Sequence, residues 1–242
     1  KPCAARTRSL IDLRRLPSLY APATVMTSAA HSELMDSIYR RQRHIYDFTR
    51  RYYLFGRDRL IRQLDLKPGE TLVEVGCGTA RNLIKIARRY PGTALYGLDA
   101  SEEMLKSARL AVARAGLAGR VHLARGLAEH MTPEVFGLNR PLDHAVFSYS
   151  LSMIPDWKQS LKAAADAIMI GGRLHVVDFG DLAGLGTLGR SALIHWLALF
   201  HVEPRTEIVA AILQSNDREI AGNADFAMLS AHYAFIWRGG RE

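Results

Sequence analysis

The chain has 242 residues, 48% of them hydrophobic, enough for one large domain or a domain with a cap. No uninterrupted apolar run reaches the ~20 residues that cross a bilayer, which excludes a long apolar spanning helix. The formal charge of +8 favours an anionic surface only weakly, because much of it sits at one end. Residues 1–25 hold Lys1, Arg6, Arg8, Arg14 and Arg15 against Asp12 alone.

That first stretch lacks periodicity and is expected to be a disordered basic extension. Its acid-poor, Arg-rich make-up has the character of a transit peptide, but it reads more readily as untranslated leader ahead of a start at Met26. A helical, Arg- and aromatic-rich pattern runs from about Ser32 to Leu64, and residues 31–66 are taken as a helical cap. Lys67-Pro68-Gly69 ends it, and residues 67–242 are taken as the main domain.

Strand-like runs follow at Thr71–Val75, Ala94–Leu98, Val121–Ala124, Ala145–Phe147 and Leu174–Val177. Helical stretches alternate with them at Ala80–Tyr90, Ser101–Ala115 and Trp157–Ile170. Ser101-Glu102-Glu103 has the form of a helix start, with acids in the first turn. This alternation predicts a parallel sheet with helices on both faces. Beyond Asp178 come a glycine-rich stretch, Gly180–Gly189, an apolar helix at Ser191–Val202 and a short helix at Glu207–Gln214. Two strands, Phe226–Leu229 and Tyr233–Trp237, close the chain as an antiparallel hairpin.

The sharpest local signal is Val73-Glu74-Val75-Gly76-Cys77-Gly78-Thr79-Ala80. A strand ends at an acid and enters a glycine loop that opens a helix. Glycines let the backbone adopt positive φ and approach a ligand closely. In open α/β sheets that crevice is where ligands bind. A dinucleotide asks for a third glycine where Arg81 stands, and its pyrophosphate is repelled by Glu74. A ligand with an ammonium and a cationic sulfur is attracted by the same carboxylate. Asp99 ends the second strand, 25 residues after Glu74, where it can accept from both ribose hydroxyls of either ligand class.

From Thr71 to Asp178 the chain resembles the class I methyltransferase superfamily. The fold this implies is α/β: a Rossmann-like, seven-stranded, mostly parallel sheet with an antiparallel C-terminal hairpin, preceded by the helical cap. The cofactor it implies is S-adenosyl-L-methionine. Its site would be built from Tyr46, Glu74, Gly76, Cys77, Gly78, Thr79, Asp99, Ala100, Met104, Gly126, Leu127, Ala128 and Ser148. Met104 would pack near the adenine, or simply be buried on its helix. One departure concerns the adenine amino group, which an acid after the third strand usually binds. Leu127 stands there, and backbone at Leu127–Ala128 or the Glu129 carboxylate would have to replace it.

Absences narrow the acceptor. Phe147-Ser148-Tyr149-Ser150-Leu151 replaces the Asn/Asp-Pro-Pro-Tyr/Phe of enzymes that methylate amino groups of nucleic-acid bases. Neither Cys3 nor Cys77 is placed as a nucleophile for base C5 methylation, and no Cys/His cluster has metal-ligand spacing. So few cysteines fit a reducing, cytoplasmic compartment. No nucleic-acid partner is expected, and a small-molecule or lipid acceptor remains.

Tyr39, Tyr46 and Tyr53 recur every seven residues, and Arg43, Arg50 and Arg57 follow each by four. Tyrosine and arginine therefore share one helical face. Such a face suits an acceptor with an anionic group and an amine that becomes cationic. Tyr–Arg stacking on an ordinary amphipathic surface has the same pattern.

Residues 39–58 resemble the start of bacterial betaine-lipid methyltransferases, as do Leu174–Gly180 and Phe200–Arg205. The resemblance implies trimethylation of diacylglyceryl-homoserine at the inner membrane face, with His44, Tyr53 and Tyr149 near the chemistry. Acceptor-binding residues would be Tyr39, Arg50, Tyr52, Arg57, His201 and Arg205. The helix Ser191–Phe200 would line an acyl channel, dip into the membrane interface, or lie buried as a lid. A separate aminocarboxypropyl transferase supplies the acceptor in that family and is a candidate contact. Rival readings are a methyltransferase of a soluble amine such as phosphoethanolamine, and a non-catalytic S-adenosylmethionine-binding module.

Overall fold

A computed structural model describes residues 54–198, 205–214, 222–230 and 232–241. Thirteen elements of regular structure lie among them, besides short 3-10 turns. They are α1 (Arg57–Arg62), β1 (Thr71–Val75), α2 (Arg81–Arg89), β2 (Ala94–Asp99), α3 (Glu102–Arg114), β3 (Val121–Arg125) and β4 (Leu142–Ser148). Then come α4 (Trp157–Ala167), β5 (Ile168–Phe179), α5 (Gly186–Ala198), α6 (Thr206–Gln214), β6 (Gly222–Leu229) and β7 (Ala234–Gly240).

The strands form one seven-stranded sheet in the order β3-β2-β1-β4-β5-β7-β6. β1 to β5 are parallel, and β7 pairs antiparallel with both β5 and β6. The expected architecture is the one observed. β1 is buried at all five positions, as a central strand covered on both faces must be. Leu72, Leu83, Ile86, Leu95 and Leu105 fill one side of the sheet, and Val73, Val75, Phe147, Trp157 and Trp237 the other.

Helix starts follow their local chemistry. Ser101 Oγ accepts from Met104 N at 3.3 Å, capping α3, whose first turn carries Glu102 and Glu103. Asp156 caps α4 by accepting from Gln159 N. α1 begins at Gly56, whose φ is 86°. A Cβ there would lie 2.6 Å from Leu229 Cδ1, so glycine is required twice over. The described part of the cap joins the main core: Leu54, Leu60, Ile61, Leu64 and Leu66 pack with β1, α2 and α3 residues.

Several boundaries differ from expectation. β5 starts at Ile168, six residues before the expected Leu174, and takes in Ile168–Ile170, which had been read as the end of a helix. Gly171 and Gly172 hide the strand in the sequence. Gly171 N donates to Arg241 O at 2.8 Å and continues the sheet regardless. α5 starts at Gly186, inside the glycine-rich stretch, and β6 starts four residues early at Gly222. Among the described residues, no helix is long and apolar enough to cross a membrane.

Candidate active site

The sheet reverses its strand order between β1 and β4. A crevice opens there at the carboxyl ends of the strands. The loop after β1 turns with Gly76 at φ 75° and Gly78 at φ 54°. Gly76 N and Cys77 N both donate to Leu98 O, at 2.8 and 3.0 Å, pinning the loop to β2. A Cβ on Gly76 would lie 2.6 Å from Ser150 Cβ, so the loop after β4 packs directly on it. A Cβ on Gly78 would meet nothing within 4 Å, leaving open space against bare backbone.

Two clefts share this loop. The larger, about 790 Å³, is lined by Val75, Gly76, Gly78, Leu98, Asp99, Ala100, Ser101, Gly126–Glu129, Tyr149, Ser150 and Met153–Pro155. The smaller, about 480 Å³, is lined by Leu54, Arg57, Glu74, Gly76–Thr79, Arg81, Asn82, Met104 and Ser148. Both clefts meet Gly76 and Gly78, so one ligand can run from an apolar slot, past the loop, to a charged end.

Asp99 stands at the junction. Its Oδ2 accepts from Gly78 N at 2.7 Å and its Oδ1 from Ser101 N at 2.9 Å. Each carboxylate oxygen has further lone pairs, so the group is fixed in orientation and still able to accept from a diol. Glu74 is 1% exposed, and its Oε1 accepts from Asn82 Nδ2 at 2.7 Å. The same amide reaches Ser148 Oγ at 3.2 Å. Burial, first of all, and then the charges of Asp99 and Glu74 push the Cys77 thiol well above its usual range, so it stays protonated and inert.

Tyr149 follows β4 with φ 55°, a left-handed conformation that costs a non-glycine residue on the order of 1 kcal/mol. Its hydroxyl donates to Phe55 O at 2.6 Å. Among the described residues no group of three His, Cys, Asp or Glu could hold a metal.

Of the expected donor residues, Gly76, Gly78, Asp99, Ala100, Gly126, Leu127 and Ala128 line the larger cleft, and Glu129 joins them. Glu74, Cys77, Thr79, Ser148 and Met104 line the smaller one. Met104 therefore sits beside Glu74's cleft and not beside Gly126–Ala128. Arg57, expected to meet the acceptor, lines the smaller cleft against the glycine loop. Arg205 Nη1 donates to Pro155 O at 3.3 Å, which sets it at the rim of the larger cleft. Tyr39, His44, Tyr46, Arg50, Tyr52, Tyr53 and His201 lie outside the described residues.

Asn82, Ser101, Ser150 and Met153–Pro155 were not anticipated. Asn82 carried a faint signal, one residue inside the helix that the loop opens. Ser150 is recognisable only from the closeness of its loop to Gly76.

These residues fit S-adenosyl-L-methionine. The apolar slot closed by Asp99 suits an adenosine, the open space at Gly78 a chain passing over backbone, and the cleft with Glu74 and Arg57 an amino-acid end. Residues 73–174 match the family model described as a methyltransferase domain. The chain is 28% identical over 153 residues to the ubiquinone/menaquinone biosynthesis C-methyltransferase UbiE of Geotalea daltonii, covering 61% of this chain and 62% of that protein. It is 31% identical over 159 residues to the demethylmenaquinone methyltransferase of Corynebacterium efficiens, covering 63% of each. The matched part thus spans about three-fifths of these relatives. An S-adenosylmethionine-dependent methyltransferase of Thermotoga maritima shares the fold at a TM-score of 0.62, with 19% identity over 86% of this chain and all of that one. The fold is the Rossmann-like methyltransferase fold, residues 73–174 match a methyltransferase domain, and the residues of the two clefts fit S-adenosyl-L-methionine as the cofactor.

Proposed function

We propose that the protein N-methylates a membrane-borne amine, and specifically diacylglyceryl-homoserine, to its trimethylated betaine. The observation that carries this reading is the position of residues 54–57. They end the stretch in which tyrosine and arginine recur every seven residues, and Leu54 and Arg57 line a cleft at the donor loop. Leu54 and Arg57 bring the end of that stretch to the donor loop, which supports an acceptor suited to its tyrosines and arginines. Exposed apolar side chains on α5, Leu188 at 88% and Ile194 at 40%, are suited to an acceptor that carries acyl chains.

The bound cofactor supplies an electrophilic methyl on a cationic sulfur. Transfer of that methyl to nitrogen would need the acceptor amine in its neutral form. An α-amine has a pKa on the order of 8, so a site that favours its neutral form gains rate. Positioning by the glycine loop and by Asp99 contributes the larger share. Contact with an aminocarboxypropyl transferase that makes the acceptor belongs to the same reading. Co-purification at low salt tests it, and its absence would remove that partner.

A second reading is C-methylation of a demethylated quinone, which the names of the Geotalea and Corynebacterium relatives favour. Both acceptors carry long apolar chains. The reacting atom differs, and so does the number of methyls. Purified protein incubated with labelled S-adenosylmethionine and either diacylglyceryl-homoserine or demethylmenaquinol, followed by lipid mass spectrometry, separates them. A gain of three labelled methyls on the homoserine lipid is expected. A single methyl on the quinol, with none on the homoserine lipid, would replace the first reading by the second.

A further inference from the structure

A ligand spanning both clefts is held by walls of different origin. The glycine loop, Glu74 and Asp99 belong to the sheet. Leu54 and Arg57 come from the segment ahead of β1, which must be seated against the sheet by side-chain contacts. Tyr149 Oη donates to Phe55 O at 2.6 Å, a polar link across 94 residues of sequence. The Phe55 ring meets Tyr233 edge-on at 5.3 Å, Tyr233 meets Phe179 at 5.9 Å, and Phe179 meets Tyr149 at 4.9 Å. Four rings and one hydrogen bond therefore close a circuit. It joins the end of the cap, the turn before β7, the end of β5 and the end of β4.

Tyr149 is the strained member of that circuit. Its left-handed backbone is fixed by Tyr149 N donating to Val177 O at 2.8 Å, and by Ser150 Oγ donating to Val75 O at 2.7 Å. A non-glycine residue keeps such a conformation only where its surroundings over-determine it. The Tyr149 hydroxyl reaches the cap while Ser150 packs on Gly76. Two residues beyond Phe55 stands Arg57, the first residue of α1, at the cleft that also holds Glu74.

We propose that Tyr149 is the positioning residue of the donor site: through Phe55 it sets Arg57 where the guanidinium fork meets the carboxylate of the donor's amino-acid end. The inference rests on the cofactor and not on any acceptor. Tyr149 acts through Arg57, so the two residues' contributions to donor affinity must be coupled.

The test is a double-mutant cycle read by calorimetric titration of S-adenosylhomocysteine. Arg57→Ala is expected to weaken binding about tenfold in the parent protein, as loss of a charge-assisted bond does. Tyr149→Phe keeps the ring and deletes only the hydroxyl. In that background Arg57→Ala is expected to cost less than about threefold. Phe55→Ala, which breaks the ring circuit outside both clefts, is expected to shrink the Arg57 effect in the same way. Losses that simply multiply would overturn the proposal, since a merely structural Tyr149 lowers the unfolding temperature without coupling to Arg57. An Arg57→Ala protein that binds as tightly as its parent would overturn it as well.

Discussion

At the scale of single residues, the glycine loop separates folding from binding. Gly76 and Gly78 both have positive φ, but only Gly76 lacks room for a Cβ. Gly76→Ala combines a left-handed alanine with a 2.6 Å clash against Ser150, and is expected to cost about 2–4 kcal/mol of folding stability. Urea denaturation would measure it, and Ser150→Gly in the same protein should restore only the steric part. Gly78→Ala has open space, so its folding cost should stay near ~1 kcal/mol, while the added methyl enters the cleft and weakens donor binding. Asp99→Ala removes the acceptor at the junction of the clefts and releases Gly78 N. A loss of about 2–3 kcal/mol in donor affinity is expected by calorimetry; unchanged affinity would withdraw the ribose assignment. Asp99 and both glycines were legible as a motif because their roles are local: an acid at a strand end and a loop that needs positive φ. Tyr149 was singled out only as a residue near the chemistry. Its bond to Phe55 O depends on a fold that joins positions 94 residues apart, and no local pattern announces that.

At the scale of elements, helices and strands follow local rules where those rules are strong. α3 begins one residue after its capping serine, and β1 runs over the five residues its apolar run predicts. β5 was shortened in the reading because Gly171-Gly172 reads as a break; Gly171 does turn, with φ 83° in an irregularity opposite β4, and its bonds and those of Gly172 to Arg241 carry the strand across. The join between α2 and β2 shows the same dependence. Arg120, from the turn before β3, donates to Ala87 O, Tyr90 O and Thr93 O at 2.9–3.4 Å, satisfying carbonyls at the end of α2 and in the loop beyond it. Arg120→Ala should destabilise the fold by about 2–3 kcal/mol, and Arg120→Lys should recover only part of that, since a lysine cannot serve three carbonyls in one plane. Thermal unfolding of both variants would check the order.

For the whole molecule, a buried pair of histidines makes stability depend on pH. His144 Nδ1 and His175 Nε2 are 3.2 Å apart between β4 and β5, and His144 Nε2 is 3.2 Å from Glu70 Oε2. Burial lowers the pKa of His144, against the pull of Glu70, and lowers that of His175 well below its usual value, with the charge of His144 adding to it. Both pKa values are lower in the folded state, so the unfolded chain binds more protons below about pH 6.5. Stability is therefore full above that pH. It falls as the pH drops toward the folded values, by up to ~1.4 kcal/mol per pH unit for each histidine. Urea midpoints at pH 7.5 and 5.5 should differ in that direction, and a flat profile would show that the pair takes up protons as readily in the fold as in the unfolded chain. The alternation of strand and helix, the glycine loop and its two acids were determined by the sequence alone, because periodicity, backbone freedom and charge act over a few residues. The histidine pair, the packing of Ser150 on Gly76 and the placing of Arg57 at the donor loop were decided only by the tertiary structure. Each joins residues that the chain itself keeps far apart, and such contacts exist only once the sheet has set its strand order.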